Sequence, residues 1–235
     1  MQALAAAEGH DDEAADDDGD ESHWQWLSWP GPGYDDEGDG DGQEAIAPGH
    51  RNWQPWVRSS AANPKIHVMA AGLQLVDLNP RADYDWDLDY KLKRKLHYHY
   101  NVTVDQLVDA RTFHYPKVEK PHIGEHYRFI TDLVQHPDFE WWLRGVKWEF
   151  VNREYKSEHV IVTFCRQGIH RSVGTARVIA EVLQMQGFDV EQPYSLTPYR
   201  EFGAKFCSVA CTECSRFYPG KLDSFMAASQ IWQSI

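Results

Sequence analysis

The stretch VIVTFCRQGIHRSVGTAR, Val160 to Arg177, decides how the chain reads. Val160–Phe164 is an almost unbroken apolar run rich in β-branched residues, which suits a strand covered on both faces. From Ser172 to Gln186 the residues Val173, Ala176, Ile179, Ala180 and Leu183 share one helical face, and Gly187 stands where that helix should end. Between strand and helix lie Cys165, Arg166, Gln167, Gly168, Ile169, His170, Arg171 and Ser172. In an open α/β sheet, ligands gather at the carboxyl ends of the strands. The first N–H groups of a helix have no intrahelical partners, and its dipole favours negative charge. Gly168 lets the loop turn backbone amides inward. Arg171 can fork onto phosphate oxygens, and Ser172 can cap the helix or bind the anion. Loop 165–172 is therefore expected to bind an anion, foremost a phosphate group.

Working outward, Ile66–Leu73 is a short apolar run that reads as a buried strand. Asp87–Tyr100 can form a helix, and its Lys91, Lys93, Arg94 and Lys95 are not all on one face, which favours a solvated helix over a nucleic-acid patch. Gln106–Ala110 is a second strand, with Asp109 and Arg111 at its end. Pro116 and Pro121 make 112–122 a loop. Glu125–Gln135 has a helical period, and a second helix starts near Pro137 and runs through Phe139, Trp142, Leu143, Val146 and Phe150. Phe188–Gln192 reads as a last strand. Strand and helix alternate, which implies an α/β fold of three layers: a mainly parallel sheet with helices on both faces.

The net charge of −13 is unevenly spread. Residues 1–50 hold 15 acidic residues and no Lys or Arg, leaving 23 basic against 21 acidic residues in 51–235. A near-neutral domain has no electrostatic footprint for nucleic acid. The acidic segment is too poor in apolar side chains to offset its ordering entropy and is expected to be a disordered tail. Within it, residues 22–34 carry Trp24, Trp26, Trp29 and Tyr34 around a Pro-Gly repeat; they either dock into a protein partner or rest on the chain's own domain. No apolar run approaches the ~18 residues needed to span a membrane, and no signal peptide is read at the N-terminus. Four cysteines are too few and too clustered for a disulfide scaffold. The expectation is a soluble intracellular protein with an acidic tail (1–50), an α/β domain (51–197) and a Cys-containing extension packed on it (198–235).

The spacing Cys165-x5-Arg171-Ser172 resembles the signature loop of cysteine-based phosphatases, in which a thiolate attacks phosphorus. Val160–Arg177 also resembles the C-terminal domain family of the RNase adapter protein RapZ, whose strand leads into Gly-Cys-Thr-Gly-Gly-Gln-His-Arg-Ser. Leu107–Arg111 looks like that family's Phe-Asp-x-Arg strand end. The likeness covers about residues 65–193, with an insertion near 74–101. It implies a pocket for a phosphorylated amino sugar, with Asp109, Arg111, His170, Arg171 and the amides of 166–168 carried over by position and His122 standing for a family histidine. The family's Thr-Gly is replaced by Arg166-Gln167, which adds charge and bulk. The family's RNA role has no counterpart in a basic tail or a nucleotide-binding P-loop.

Cys207, Cys211 and Cys214 are spaced i, i+4, i+7 and would share a face on a helix. They suit either buried packing or zinc, which needs a fourth donor such as His159 or His170 from the domain body. Otherwise no cofactor is expected. Three functions follow: a binding domain for a small sugar-phosphate-like metabolite; a cysteine-dependent phosphatase with Cys165 as nucleophile, Arg171 as clamp and Asp109 as acid; or a scaffold that recruits a partner through its tail.

Overall fold

The computed structural model describes residues 64–113, 122–153, 156–191, 193–196, 211–215 and 217–235. The acidic tail, residues 22–34 and Cys207 lie outside these residues. The chain folds as α/β: a five-stranded parallel sheet with helices on both faces. The strands are β1 (Lys65–Gly72), β2 (Gln106–Asp109), β3 (Glu158–Cys165), β4 (Asp189–Val190) and β5 (Tyr194–Ser195). The order is β2-β3-β1-β4, with β5 also pairing β1 beyond β4.

The continuous apolar runs of β1 and β3 follow from their place at the centre of the sheet, where both faces are covered. Ile66, Val68, Ala70, Val108 and Ile161 face one side. There they pack against α2 (Tyr127–Val134), α3 (Phe139–Asn152), α4 (Arg171–Met185) and α5 (Leu222–Ser234). Met69, Ala71, Leu107, Val162 and Phe164 face the other side, against α1 (Trp86–Tyr100) and a 3-10 turn at Leu73–Val76. The expected helices and strands are all present, with ends shifted by a residue or two. The 3-10 turn, β5 and α5 were not foreseen.

α1 buries only Leu88, Leu92 and Leu96, a single stripe at i, i+4, i+8. Its side-chain cap is Asp85, which accepts from the Leu88 amide at 2.8 Å. Lys91 and Lys93 pair with Asp87 and Asp89 one turn earlier, so the lysines lie on a solvated, self-paired face. α5 sends Phe225, Ala228 and Trp232 into the same core as α2, α3 and α4. Lys147 on α3 donates to the carbonyls of Trp232 (2.6 Å) and Ile235 (2.8 Å).

Right-handed crossovers that run in opposite directions across a sheet must lie on opposite faces. The connection from β1 to β2 runs one way and carries α1. Those from β2 to β3 and from β3 to β4 run back and carry α2, α3 and α4 on the other face. The direction reverses between neighbours β1 and β3. The crevice outside their carboxyl ends is therefore a topological switch point, the usual ligand position in such sheets.

Phe164 is fully buried, with the Tyr84 ring 5.4 Å from its centroid and the Arg111 guanidinium 5.4 Å away. Phe164→Ala is expected to cost about 3–5 kcal/mol in urea denaturation, the range for emptying a packed aromatic site. A loss below about 1 kcal/mol would contradict the packing of the α1 face.

Candidate functional site

The last residue of β1, Gly72, is the register partner of the last residue of β3, Cys165. From there residues 166–168 cross over the end of β1. A methyl group on Gly72 would collide with the Gln167 carbonyl and lie 2.8 Å from the Gly168 nitrogen. The amide of Gln74 donates to the Arg166 carbonyl at 3.1 Å, tying the two strand ends together. Gly168 has φ 78°, a left-handed conformation that costs glycine little. That turn brings its N–H back to the Cys165 sulfur at 3.2 Å. The Ser172 hydroxyl lies 3.3 Å from the same sulfur. Thr163, on the preceding strand, donates its hydroxyl to the Ser172 carbonyl at 2.5 Å. The sulfur thus sits buried beneath the loop that leads into α4, faced by the Gly168 N–H and the Ser172 hydroxyl, while Arg166 and Gln167 are exposed.

Arg171 is the first residue of α4. Its Nη1 donates to the carbonyls of Arg111 (3.0 Å) and Phe113 (3.2 Å), so its guanidinium reaches from the loop to the end of β2. Burial pushes its pKa down, the neighbouring Arg111 guanidinium adds to that shift, and the nearby Asp109 carboxylate opposes it. Asp109 and Arg111 form a close, largely buried ion pair. Both Asp109 oxygens accept from Arg111, whose backbone and side chain each donate to Oδ1. The other end of the guanidinium donates to the Pro80 and Ala82 carbonyls at 3.3 and 2.5 Å. The pair clamps the segment before α1 onto the end of β2.

The far side of the loop rests on residues 122–126. Gly124 donates its amide to the Ile169 carbonyl at 3.2 Å, and His170 Nε2 donates to the His122 carbonyl at 2.9 Å. A side chain on Gly124 would collide with the His170 carbonyl, and one on Gly174 with the Phe129 ring. Two backbone segments thus meet here at glycine distance. Burial pushes the His170 pKa below its ordinary 6.5, against the bond to the His122 carbonyl, which raises it.

His122, expected at the ligand pocket, turns its ring elsewhere. Its Nδ1 is 3.8 Å from Cys211 Sγ and 3.6 Å from Cys214 Sγ. The ring also stacks over His126 at 4.0 Å between centroids. His126 accepts from the Arg128 amide at Nδ1, so its Nε2 donates to Glu213 at 3.0 Å. Cys211 and Cys214 lie in a turn, so the shared helical face does not exist for these two. The described donor beside them is His122, not His159 or His170.

The structure thus gathers Cys165, Gly168, His170, Arg171 and Ser172 with the Asp109–Arg111 pair, and separates His122 from them by side-chain direction. Sequence reasoning passed over Gly72, Thr163, His126, Glu213 and buried Lys221. For the second cluster the cysteine spacing had already marked Cys211 and Cys214, and the His122-x3-His126 spacing was the matching hint on the histidine side. No family model and no curated protein matches the chain. Among the described residues, no helix is long and apolar enough to cross a membrane.

Replacing a strand glycine by alanine ordinarily stabilises a compatible site by restricting the unfolded chain. Gly72→Ala should do the opposite, costing about 1–3 kcal/mol as the loop backbone is forced off the strand end. An unchanged or raised melting temperature would mean that the loop does not sit on Gly72. A second expectation concerns pH. The folded chain keeps His170 neutral where the unfolded chain protonates it, so the unfolded state binds the extra proton and stability rises with pH. That contribution is lost as pH falls below 6.5. His170→Gln should flatten the fall in urea midpoint between about pH 6.5 and 5. An undiminished slope would assign the effect to other groups.

Proposed function

We propose that the chain binds a small phosphorylated metabolite, sugar-like in its non-phosphate part, in loop 165–172. The observation that carries this reading is the loop itself: it runs into the N-terminus of α4 over a buried cysteine that the Gly168 N–H faces, at a sheet switch point and with Arg171 as the first helical residue. A phosphate there would receive N–H donors and meet the Arg171 guanidinium. The likeness of residues 65–193 to the RapZ C-terminal domain family supports a phosphorylated amino sugar as the ligand class. In this reading Asp109 and Arg111 shape the wall rather than lend a loose carboxylate, since Arg111 already engages both oxygens of Asp109. Arg166 and Gln167 stand at the rim, where they set ligand identity.

The Cys165 contacts favour a second reading, a cysteine-dependent phosphatase. There the Cys165 thiolate forms a bond to phosphorus while the ester P–O bond breaks and the leaving oxygen takes a proton from an acid. Water then attacks phosphorus, releasing phosphate and the thiolate. Asp109, the acid foreseen for the first step, is committed to Arg111, and this favours binding over turnover.

The test is thermal stability with inorganic phosphate and a panel of hexose and hexosamine phosphates, for the native chain, Arg171→Lys and Ser172→Ala. A ligand at a hundredfold its Kd should add about 2.7 kcal/mol, and both variants should weaken that response. No shift with any phosphate compound would overturn the reading. Release of inorganic phosphate that Cys165→Ser abolishes would replace it with the phosphatase.

A further inference from the structure

The geometry points to a zinc site made by His122 Nδ1 and the sulfurs of Cys211 and Cys214, which ties the C-terminal segment to the wall of the anion loop. The three donor atoms lie within 4.8 Å of one another, on segments about ninety residues apart in sequence. In a tetrahedral zinc site with bonds of about 2.0–2.3 Å, neighbouring donors stand roughly 3.4–3.8 Å apart. The His122 nitrogen is 3.8 and 3.6 Å from the two sulfurs. One ring nitrogen has either a single proton to donate or a single lone pair to accept with, so it makes one strong hydrogen bond, whereas a shared ion accounts for both contacts at once. Two thiolates with an imidazole are the donor set that zinc selects.

The surroundings hold these donors in place. Lys221 is buried and donates Nζ to the carbonyls of Cys214 (3.1 Å) and Ser215 (2.9 Å), fixing the turn that carries the thiols. The His126–Glu213 pair lies against the His122 ring, and Glu213 belongs to the same turn. On binding, each cysteine gives its proton to solvent and the ion takes both thiolates. The fourth position of a tetrahedral ion is left to water or another donor. The ion would also brace the loop, since the His122 carbonyl receives His170 Nε2 and the Gly124 amide holds the Ile169 carbonyl. The zinc assignment itself does not depend on the phosphate reading.

The experiment is elemental analysis of the purified full-length chain, followed by cobalt substitution. About one zinc per chain is expected, with cobalt giving the absorption of a tetrahedral thiolate site. His122→Ala and Cys214→Ser should lose the metal, while His126→Gln keeps it. Because a ligand variant can misfold, the native chain is also treated with a chelator: its melting temperature should fall and recover on adding zinc. Three results would overturn the site: native protein without zinc that takes up no cobalt, a Cys211–Cys214 disulfide in freshly prepared protein, or metal loss in His126→Gln with retention in Cys211→Ser. Zinc binding without any phosphate response would leave this site standing and remove only the reading of loop 165–172.

Discussion

The close passage of residues 166–168 over Gly72 is the constraint from which the rest of the site follows. β1 and β3 end in register, so a chain leaving Cys165 for α4 must cross the neighbouring strand end at backbone distance. Gly72 has no side chain to hold it off. The crossing turns the Gly168 N–H onto the sulfur and aims the start of α4 at the crevice. A second glycine contact, Gly124 against the His170 carbonyl, meets the far end of the same loop. Both ends of the loop are thus held by backbone contacts rather than by long side chains, which fixes its course between β3 and α4.

Much of this was legible in the residues because it depended on local pattern. The uninterrupted Val160–Phe164 run, the helical period after Ser172 and the Cys-x5-Arg-Ser spacing between them placed strand, loop and helix close to where they lie. The parallel sheet followed from alternation along the chain, and its central strands betrayed themselves by lacking a polar face. α1 was legible despite its polarity, since its three leucines recur every four residues while its charges pair one turn apart.

What escaped was set by contacts distant in sequence. Nothing near His122 indicates that its ring will meet Cys211 and Cys214. The likeness that assigned it to a ligand pocket saw its position along the chain, not the direction of its side chain. For Asp109 the residues left a choice between a ligand-facing carboxylate and a pair with Arg111, because a short loop can bend such a neighbour back or send it outward; the structure shows the pair, and a largely buried one. α5 was missed for a related reason. Its buried residues find their partners on α2, α3 and α4, and its own apolar pattern is weak.

The borders of the sheet carry a further consequence. β2 spans four residues, and β4 and β5 two each, with Pro193 in the short link between the latter. A strand edge is a template onto which another polypeptide can add backbone hydrogen bonds, and length and regularity make it a good one. Here the long strands are enclosed and the outer ones are brief; on one side the row is broken near a residue that has no N–H to offer. Among the described residues the two long strands, β1 and β3, thus lie inside the sheet and only short strands stand at its borders, an arrangement that offers little regular edge for another strand to extend.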